Sequence, residues 1–151
     1  MEWTYKGKII DSVDQMPNKT AGFIYIITDI ETKRKYIGRK LVTRAHRRQK
    51  NKKIIRSRVE SDWKDYWSSS PDLIQLIEDK GPEKFTREIL LFAETKGQLN
   101  YLEERFLYTV GAMESEEWSN SNIRSKMYKR NILNKFDIEE LTNTLEYIKN
   151  K

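Results

Sequence analysis

The chain has 151 residues, of which 37% are hydrophobic and 34% are charged, a composition that predicts one compact domain with a highly charged surface. It contains no cysteine and a single histidine, His46, which excludes disulfides, thiolate metal sites and zinc sites that need several imidazoles. The formal net charge is +6, and its distribution along the chain decides whether it indicates a polyanionic partner.

The first 21 residues predict a lead-in rather than regular structure. They contain no long apolar run of the kind found in a signal peptide, and no later stretch is apolar enough to span a membrane. We therefore expect a soluble, cytoplasmic protein that does not contact membranes. The lead-in ends in the segment MPNKTAG, where Pro17 and Asn18 interrupt regular structure.

A β-hairpin is predicted next. FIYIIT, residues 23–28, is rich in β-branched and aromatic residues and apolar almost throughout, which is typical of a strand buried on both faces. DIETKR provides a polar turn, and KYIG forms a short second strand that ends at Gly38. Each predicted strand carries one tyrosine, Tyr25 in the first and Tyr36 in the second.

The segment after this hairpin is strongly basic. Between Arg39 and Arg58, 10 of 20 residues are Lys or Arg and none is acidic, so the rest of the chain carries −4 (+6 less +10). Concentrated positive charge on an acidic body is typical of a nucleic-acid partner. The competing interpretation is a solvated loop. The pattern does not decide whether this segment is helical.

An aromatic cluster and a helix follow the basic segment. Trp63, Tyr66 and Trp67 are interpreted as core residues in preference to stacking surfaces for bases. A helix is predicted to begin after Ser70, with a proline in its first turn, and to end at Gly81.

The remaining elements complete an α/β pattern. KFTREILLFA, residues 84–93, predicts a third strand, and the spacing of Leu99, Leu102 and Phe106 predicts a second helix. Asp137, followed three residues later by Glu140, predicts the start of a final helix. We expect an α/β fold with a small three-stranded sheet flanked by helices. Its main domain is expected over residues 22–124, with a C-terminal helical extension over 125–151 packed on it.

The residue inventory excludes common forms of catalysis. The absence of cysteine and a single histidine with no serine motif near it argue against a hydrolytic triad, and no glycine-rich phosphate loop is present. Tyrosine, arginine, glutamate and asparagine are nevertheless sufficient for phosphodiester hydrolysis with a divalent metal. A carboxylate can hold Mg²⁺, an arginine can stabilise charge at phosphorus, and a tyrosine can orient or deprotonate water.

The hairpin and later residues resemble the GIY-YIG nuclease superfamily. FIY (Phe23–Tyr25) and YIG (Tyr36–Gly38) are separated by eleven residues from tyrosine to tyrosine, with Phe23 in place of the motif's first glycine. A glutamate follows on a later helix, as Glu103 in NYLEERFLYTV, and an asparagine in WSNSNIRSK. The resemblance covers residues 22–124. The sequence is also similar to that of short stand-alone phage members of this superfamily, which are described as homing endonucleases.

The resemblance implies a DNA endonuclease that uses Mg²⁺ or Mn²⁺. Glu103 is the implied metal ligand, although Glu104 is a neighbouring alternative, and Asn122 is an alternative to the implied asparagine. The implied catalytic residues are Tyr25, Tyr36, Arg44, Arg47, Glu103 and Asn120. The residues expected to bind DNA phosphates are Arg39, Lys40, Arg48, Lys50, Lys52 and Lys53.

The catalytic arginine is open at this point, because His46 stands where the family usually has it. Arg44 and Arg47 flank that position, and Arg39 is a third candidate. A second hypothesis is therefore a nucleic-acid-binding module that kept the fold and lost catalysis. A third is a protein-interaction domain that uses the aromatic cluster. The oligomeric state is expected to be a monomer or a homodimer.

Overall fold

The structure, a computed structural model, describes residues 1–123 and 134–151. Within those residues the chain forms seven β-strands and three α-helices. The strands are β1 (Trp3–Tyr5), β2 (Lys8–Ile10), β3 (Gly22–Asp29), β4 (Lys35–Leu41), β5 (Thr43–Lys50), β6 (Lys53–Glu60) and β7 (Phe85–Ala93). The helices are α1 (Pro71–Lys80), α2 (Lys96–Thr109) and α3 (Ile138–Lys149). No described helix is long and apolar enough to cross a membrane.

The main sheet has five strands in the order β2-β1-β7-β3-β4. The α/β class is confirmed, but the prediction of three strands was wrong. The predicted strands are β3, β4 and β7, and the two others come from the expected lead-in. A turn at Lys6 and Gly7, both with positive φ, joins β1 to β2, and β1 pairs in parallel with β7. Three-residue strands are too short to show an alternating pattern in the sequence.

Strand β3 lies inside the sheet and is buried on both faces, as its apolar sequence predicts. On one face, Ile24 and Ile26 belong to a core cluster shared with α2 and α3. On the other face, Tyr25 and Ile27 belong to a cluster that contains Trp63 and residues of α1. Because side chains alternate along a strand, Tyr25 faces away from α2.

Two helices begin where the local sequence predicts. The Ser70 hydroxyl accepts a hydrogen bond from the Leu73 amide at the start of α1, which ends at Gly81. The Asp137 carboxylate accepts one from the Glu140 amide at the start of α3. The apolar side of α3 is buried in the core cluster that also contains α2. The predicted domain boundary at residue 124 lies outside the described residues.

Asp29 closes the turn between β3 and β4 and is only 4% exposed. One carboxylate oxygen accepts hydrogen bonds from the amides of Glu31 (2.9 Å) and Thr32 (3.2 Å), and the other accepts one from Lys80 Nζ (2.7 Å). Burial acts to raise the pKa of Asp29, but the hydrogen bonds from Lys80 and the two amides lower the pKa below its ordinary value.

We expect Asp29→Asn to lower the free energy of unfolding by about 1–3 kcal/mol at neutral pH, because a charged hydrogen-bond acceptor is lost in a buried turn. The folded-state pKa is lowered, so the carboxylate stabilises above its unfolded pKa of about 3.9 and loses that effect as the pH falls through the folded value. Urea unfolding at neutral and strongly acid pH should therefore show a difference that shrinks in acid. Glu31→Gln, which removes an exposed partner of the same lysine, is the control, with an expected cost below about 1 kcal/mol. A difference that is independent of pH would contradict this account.

Strands β5 and β6 form a separate antiparallel hairpin, Thr43–Glu60, which we call the basic ribbon. Its two turn residues, Asn51 and Lys52, have φ values of +50° and +59°, as a two-residue hairpin turn requires. The base of the ribbon is tied to the domain, because the Val42 amide donates to the Ala21 carbonyl and the Ser61 amide donates to the Val42 carbonyl. The basic segment is therefore β-structure, which the sequence pattern left undecided.

Candidate active site

The first tyrosine of the motif lies directly over the motif's last glycine. Strand pairing places Tyr25 opposite Gly38, and Tyr25 is 1% exposed. A Cβ atom added at Gly38 would lie 2.3 Å from Tyr25 Oη and 2.4 Å from its Cζ. A side chain at position 38 would therefore occupy the space that the phenol ring of Tyr25 uses.

We expect Gly38→Ala to displace Tyr25 and to lower the free energy of unfolding by about 1–3 kcal/mol, because a buried ring has little room to move. Chemical denaturation measures the loss. A double-mutant cycle with Tyr25→Ala tests the cause, since the penalty of Gly38→Ala should largely disappear without the ring. An equal penalty in both backgrounds would show that another contact is responsible.

The rings of three tyrosines lie close together at this site. The ring of Tyr25 lies 6.3 Å from that of Tyr36 and 6.2 Å from that of Tyr66, measured between centroids. Burial raises the pKa of Tyr25 well above its ordinary value, and the neighbouring Tyr66 and Tyr36 raise it further. Burial also raises the pKa of Tyr66. Tyr25 and Tyr66 therefore keep their protons at neutral pH and can orient a water or phosphate oxygen by hydrogen bonding.

Lys40 provides a positive charge on the tyrosine face of β4. Its Nζ lies 4.0 Å from the centroid of the Tyr66 ring and forms an ion pair with Asp62. The hydrogen bond from Lys40 lowers the pKa of Asp62. The Asp62 side chain is 73% exposed, whereas that of Lys40 is only 14% exposed, so the ion pair lies at the surface with its ammonium end mostly covered.

Helix α2 brings a carboxylate to β4 on the opposite face of the sheet. Leu99, Leu102 and Phe106 bury the helix against the core, and Glu103 lies beside them with Oε1 3.4 Å from Arg39 Nε. Burial raises the pKa of Glu103, while Arg39 acts to lower it. Glu103 also contributes to the raised pKa of Tyr25, and β4 is the edge strand of the main sheet.

The neighbouring Glu104 is more buried than Glu103, with 4% of its surface exposed. Burial raises its pKa and Arg39 opposes this rise, as at Glu103. Arg39 therefore acts electrostatically on both carboxylates. The side chain of Glu103, at 21% exposure, is accessible from the edge of the sheet.

The donor groups fit a hard divalent cation bound by few protein ligands. No group of three His, Asp or Glu side chains suited to a metal occurs among residues 1–123 and 134–151. Mg²⁺ is commonly held by one or two carboxylates, with its other ligands taken from water and substrate phosphate. The partly exposed carboxylate of Glu103 meets that requirement as a single protein ligand.

Asn120 binds the main chain of β4 between the motif residues Tyr36 and Gly38. The Ile37 amide donates to Asn120 Oδ1 (3.0 Å), and Asn120 Nδ2 donates to the Ile37 carbonyl (2.7 Å). Next to it, the Ser119 amide donates to the Lys35 carbonyl (2.8 Å). Asn120 thus supports the edge strand, whereas the side chain of Asn122 is exposed.

The structure separates the three candidate arginines. Arg39 lies beside Glu103, whereas Arg44 and Arg47 are exposed on the basic ribbon. Arg44 is close enough to Asp62 to lower its pKa. His46 is on the ribbon as well. The exposed cations predicted to bind DNA also lie there, namely Arg48, Lys50, Lys52 and Lys53.

The sequence did not single out Tyr66 or Arg87 as site residues. Arg87 is 6% exposed, and its guanidinium lies between the rings of Trp3 (4.7 Å) and Trp67 (4.5 Å). It donates hydrogen bonds to the carbonyls of Lys64 and Tyr66 and so holds the segment that carries Tyr66. A charged residue at an inward position of the predicted third strand was the available signal.

A cavity of about 690 Å³ lies away from these residues, between β1, β7 and α3. Its lining includes Glu88, Asp137, Glu139 and Tyr147. None of the tyrosines, arginines or glutamates at β4 contributes to it. The candidate site instead lies at strand β4, on the far side of the main sheet from β2.

Comparison with known protein families identifies the family of the chain. Residues 3–132 match the family model described as "Putative endonuclease segE, GIY-YIG domain". That range includes all five strands of the main sheet, the basic ribbon, α2 and Asn120. No curated protein and no solved structure matches the chain.

Proposed function

The chain belongs to the SegE-type GIY-YIG endonuclease family, and we propose that it is a metal-dependent DNA endonuclease that hydrolyses phosphodiester bonds at the edge of β4. One observation carries the proposal. Arg39 and Glu103 are 3.4 Å apart on one face of the edge strand, and Tyr25 and Tyr36 lie together on the other. These residue types are sufficient for hydrolysis of a phosphodiester with a divalent metal.

The tyrosines would prepare the attacking water. Tyr36 is partly exposed and is the more accessible of the motif tyrosines, so it is suited to accept a hydrogen bond from the attacking water or, in its phenolate form, to accept the proton of that water. Tyr25 is buried and protonated at neutral pH, so its role would be to orient. Tyr66 would hold Tyr25 in place from the side.

Glu103 would hold the metal, Mg²⁺ or Mn²⁺, which when bound supplies Lewis-acid stabilisation of the phosphate charge. Arg39 would stabilise the charge that develops at phosphorus, and Asn120 would keep β4 in position. Arginine is well suited to this, because its planar guanidinium binds two phosphate oxygens at once. A role in homing is the further proposal, and the likeness to short stand-alone phage enzymes supports it.

A binding module without catalysis is the alternative that the sequence left open. It requires that no arginine reach the tyrosine and glutamate residues. The position of Arg39 supports the catalytic proposal, because a guanidinium lies next to Glu103 although His46 stands at the usual arginine position.

Cleavage of supercoiled plasmid with Mg²⁺ or Mn²⁺ tests the proposal, with EDTA as the metal-free control. Nicked or linear product that depends on metal is expected. The ratio of nicked to linear product would help to distinguish a monomer from a homodimer that cuts both strands. Tight binding that weakens with salt, without any product, would instead support the binding module.

A further inference from the structure

The basic ribbon extends from the domain with both faces accessible. None of the residues in β5, β6 or their turn is buried. Of its 18 residues, 8 are Lys or Arg, and the single acidic residue, Glu60, lies at the base. Glu60 is engaged there by the indole nitrogen of Trp63 (2.8 Å). No acidic side chain of the described residues forms an ion pair with a cation between Arg44 and Arg58.

The strand register places like charges directly opposite each other. Arg47 pairs with Arg56, and Lys50 pairs with Lys53. Such pairs destabilise a hairpin, and a two-stranded hairpin is only marginally stable by itself. A polyanion between or beside these side chains would remove the repulsion. The ribbon is therefore built for a charged partner rather than for packing against protein.

The cations are divided between the two faces of the ribbon. Residues directly opposite in an antiparallel pair share a face, so the register defines both sets. One face carries Arg44, Arg48, Lys50 and Lys53, and the other carries Arg47, Arg56 and Arg58. A ribbon that lay across a single phosphate backbone would need only one cationic face. A ribbon inside a groove has a phosphate backbone on each side.

The dimensions of the ribbon fit only one of the two grooves of B-DNA. Eight residues per strand extend about 26 Å, or roughly 7–8 base pairs at 3.4 Å each. The major groove of B-DNA is about 12 Å wide and admits a two-stranded ribbon, whereas the minor groove is only about 6 Å wide. The ribbon starts three residues after Lys40, so it connects directly to the strand that carries the candidate site.

We propose that the basic ribbon lies in the major groove of the DNA beside the cleaved phosphodiester and so positions the duplex at the edge of β4. This inference rests on the proposed function, since the duplex is the substrate. It goes beyond charge attraction, because it assigns a groove and uses both faces of the ribbon.

The test measures binding of a duplex of about 30 base pairs by fluorescence anisotropy over a series of salt concentrations. All proteins carry Glu103→Ala so that DNA is not cut. The probe is used in two forms. One is unmodified, and the other has glucosylated 5-hydroxymethylcytosine in place of cytosine, so that its glucosyl groups fill the major groove. Two ribbon variants are compared with this parent. One replaces residues 47–56 with Asn-Gly, which closes the hairpin after the His46–Ser57 pair, and the other carries R48Q, K50Q, K52Q and K53Q at full length.

The parent should bind the glucosylated duplex at least tenfold more weakly than the unmodified one, and both variants should lose that difference. The four glutamine substitutions should reduce the slope of log affinity against log salt by about 3–4, at about 0.9 for each phosphate contact. A control with four exposed lysines outside the ribbon replaced by glutamine (Lys6, Lys8, Lys19 and Lys33) should keep the preference for the unmodified duplex.

Three outcomes would overturn the inference, and they differ in what else they affect. Equal binding of both duplexes by the parent would show that the ribbon is not in the major groove. Unchanged affinity and slope in both variants would show that the ribbon is not in contact with DNA, while the proposed nuclease function would stand. No DNA binding by the parent would overturn the ribbon assignment and the proposed function together.

Discussion

Glu103→Ala is expected to abolish plasmid cleavage while DNA binding stays close to the wild-type level. Glu103 is the carboxylate that faces both Arg39 and the edge of β4, and its loss would remove the proposed protein ligand of the metal. A bound metal stabilises the transition state by several kcal/mol, so its loss should lower the rate by about 10³-fold. Single-turnover cleavage by the variant, with a gel-shift measurement of binding, would test this expectation.

Glu104→Gln is the matched control, because it removes the neighbouring carboxylate on the same helix. Glu104 is 4% exposed, and Arg39 also acts on its pKa. We expect the cleavage rate to stay within about tenfold of wild type, since glutamine keeps the packing. An inactive Glu104→Gln beside an active Glu103→Ala would move the metal to Glu104. Full activity in both variants would show that the metal is not bound at this helix.

The predictable part of the fold consists of elements whose sequence pattern reflects burial. Strand β3 is apolar almost throughout because both of its faces are covered. Helix α1 is bounded by its own cap at Ser70 and by Gly81. In both cases the local sequence contains the physical cause of the structure, so no knowledge of the tertiary fold was needed.

The basic ribbon is different, because neither of its faces is buried. A strand that is exposed on both sides has no apolar alternation, which is the signal from which strands are predicted. Strands β1 and β2 were missed because each has three residues, and β1 is held by parallel pairing with the distant β7. Such pairings depend on tertiary contacts that no local pattern records.

The residues of the candidate site also divide into those that the sequence predicted and those that depend on tertiary contacts. Tyr25, Tyr36 and Glu103 were predicted from the motif and its resemblance to a family. Arg87 was missed because it acts by holding the main chain of the Tyr66 segment, at a sequence separation of 21 residues. Which arginine approaches Glu103 was also beyond the sequence. It depends on strand β5 leaving the sheet immediately after β4, which carries Arg44 and Arg47 onto the ribbon.

Arg39→Ala is expected to reduce the rate of the chemical step by about 10²–10³-fold, the usual cost of removing one group that stabilises transition-state charge. Arg44→Ala and Arg47→Ala are the controls, because both residues are exposed cations on the basic ribbon. These two substitutions should weaken DNA binding, and a higher protein concentration should restore the cleavage rate. Single-turnover kinetics at saturating protein separate the two effects, since only a loss in the chemical step persists at saturation.

The pH profile of Arg39→Ala provides a second readout that a merely structural role would not change. Arg39 lowers the pKa of Glu103 and of Glu104 against the effect of burial. Without it both pKa values should rise, so the carboxylates stay protonated to higher pH and the acid limb of the rate profile should shift upward. Arg39→Lys should restore the profile better than the rate, because lysine keeps the charge but not the planar pair of donors. A variant that is slow only below saturation, with an unshifted profile, would reassign Arg39 to DNA binding and leave Arg44 and Arg47 as the candidates for catalysis.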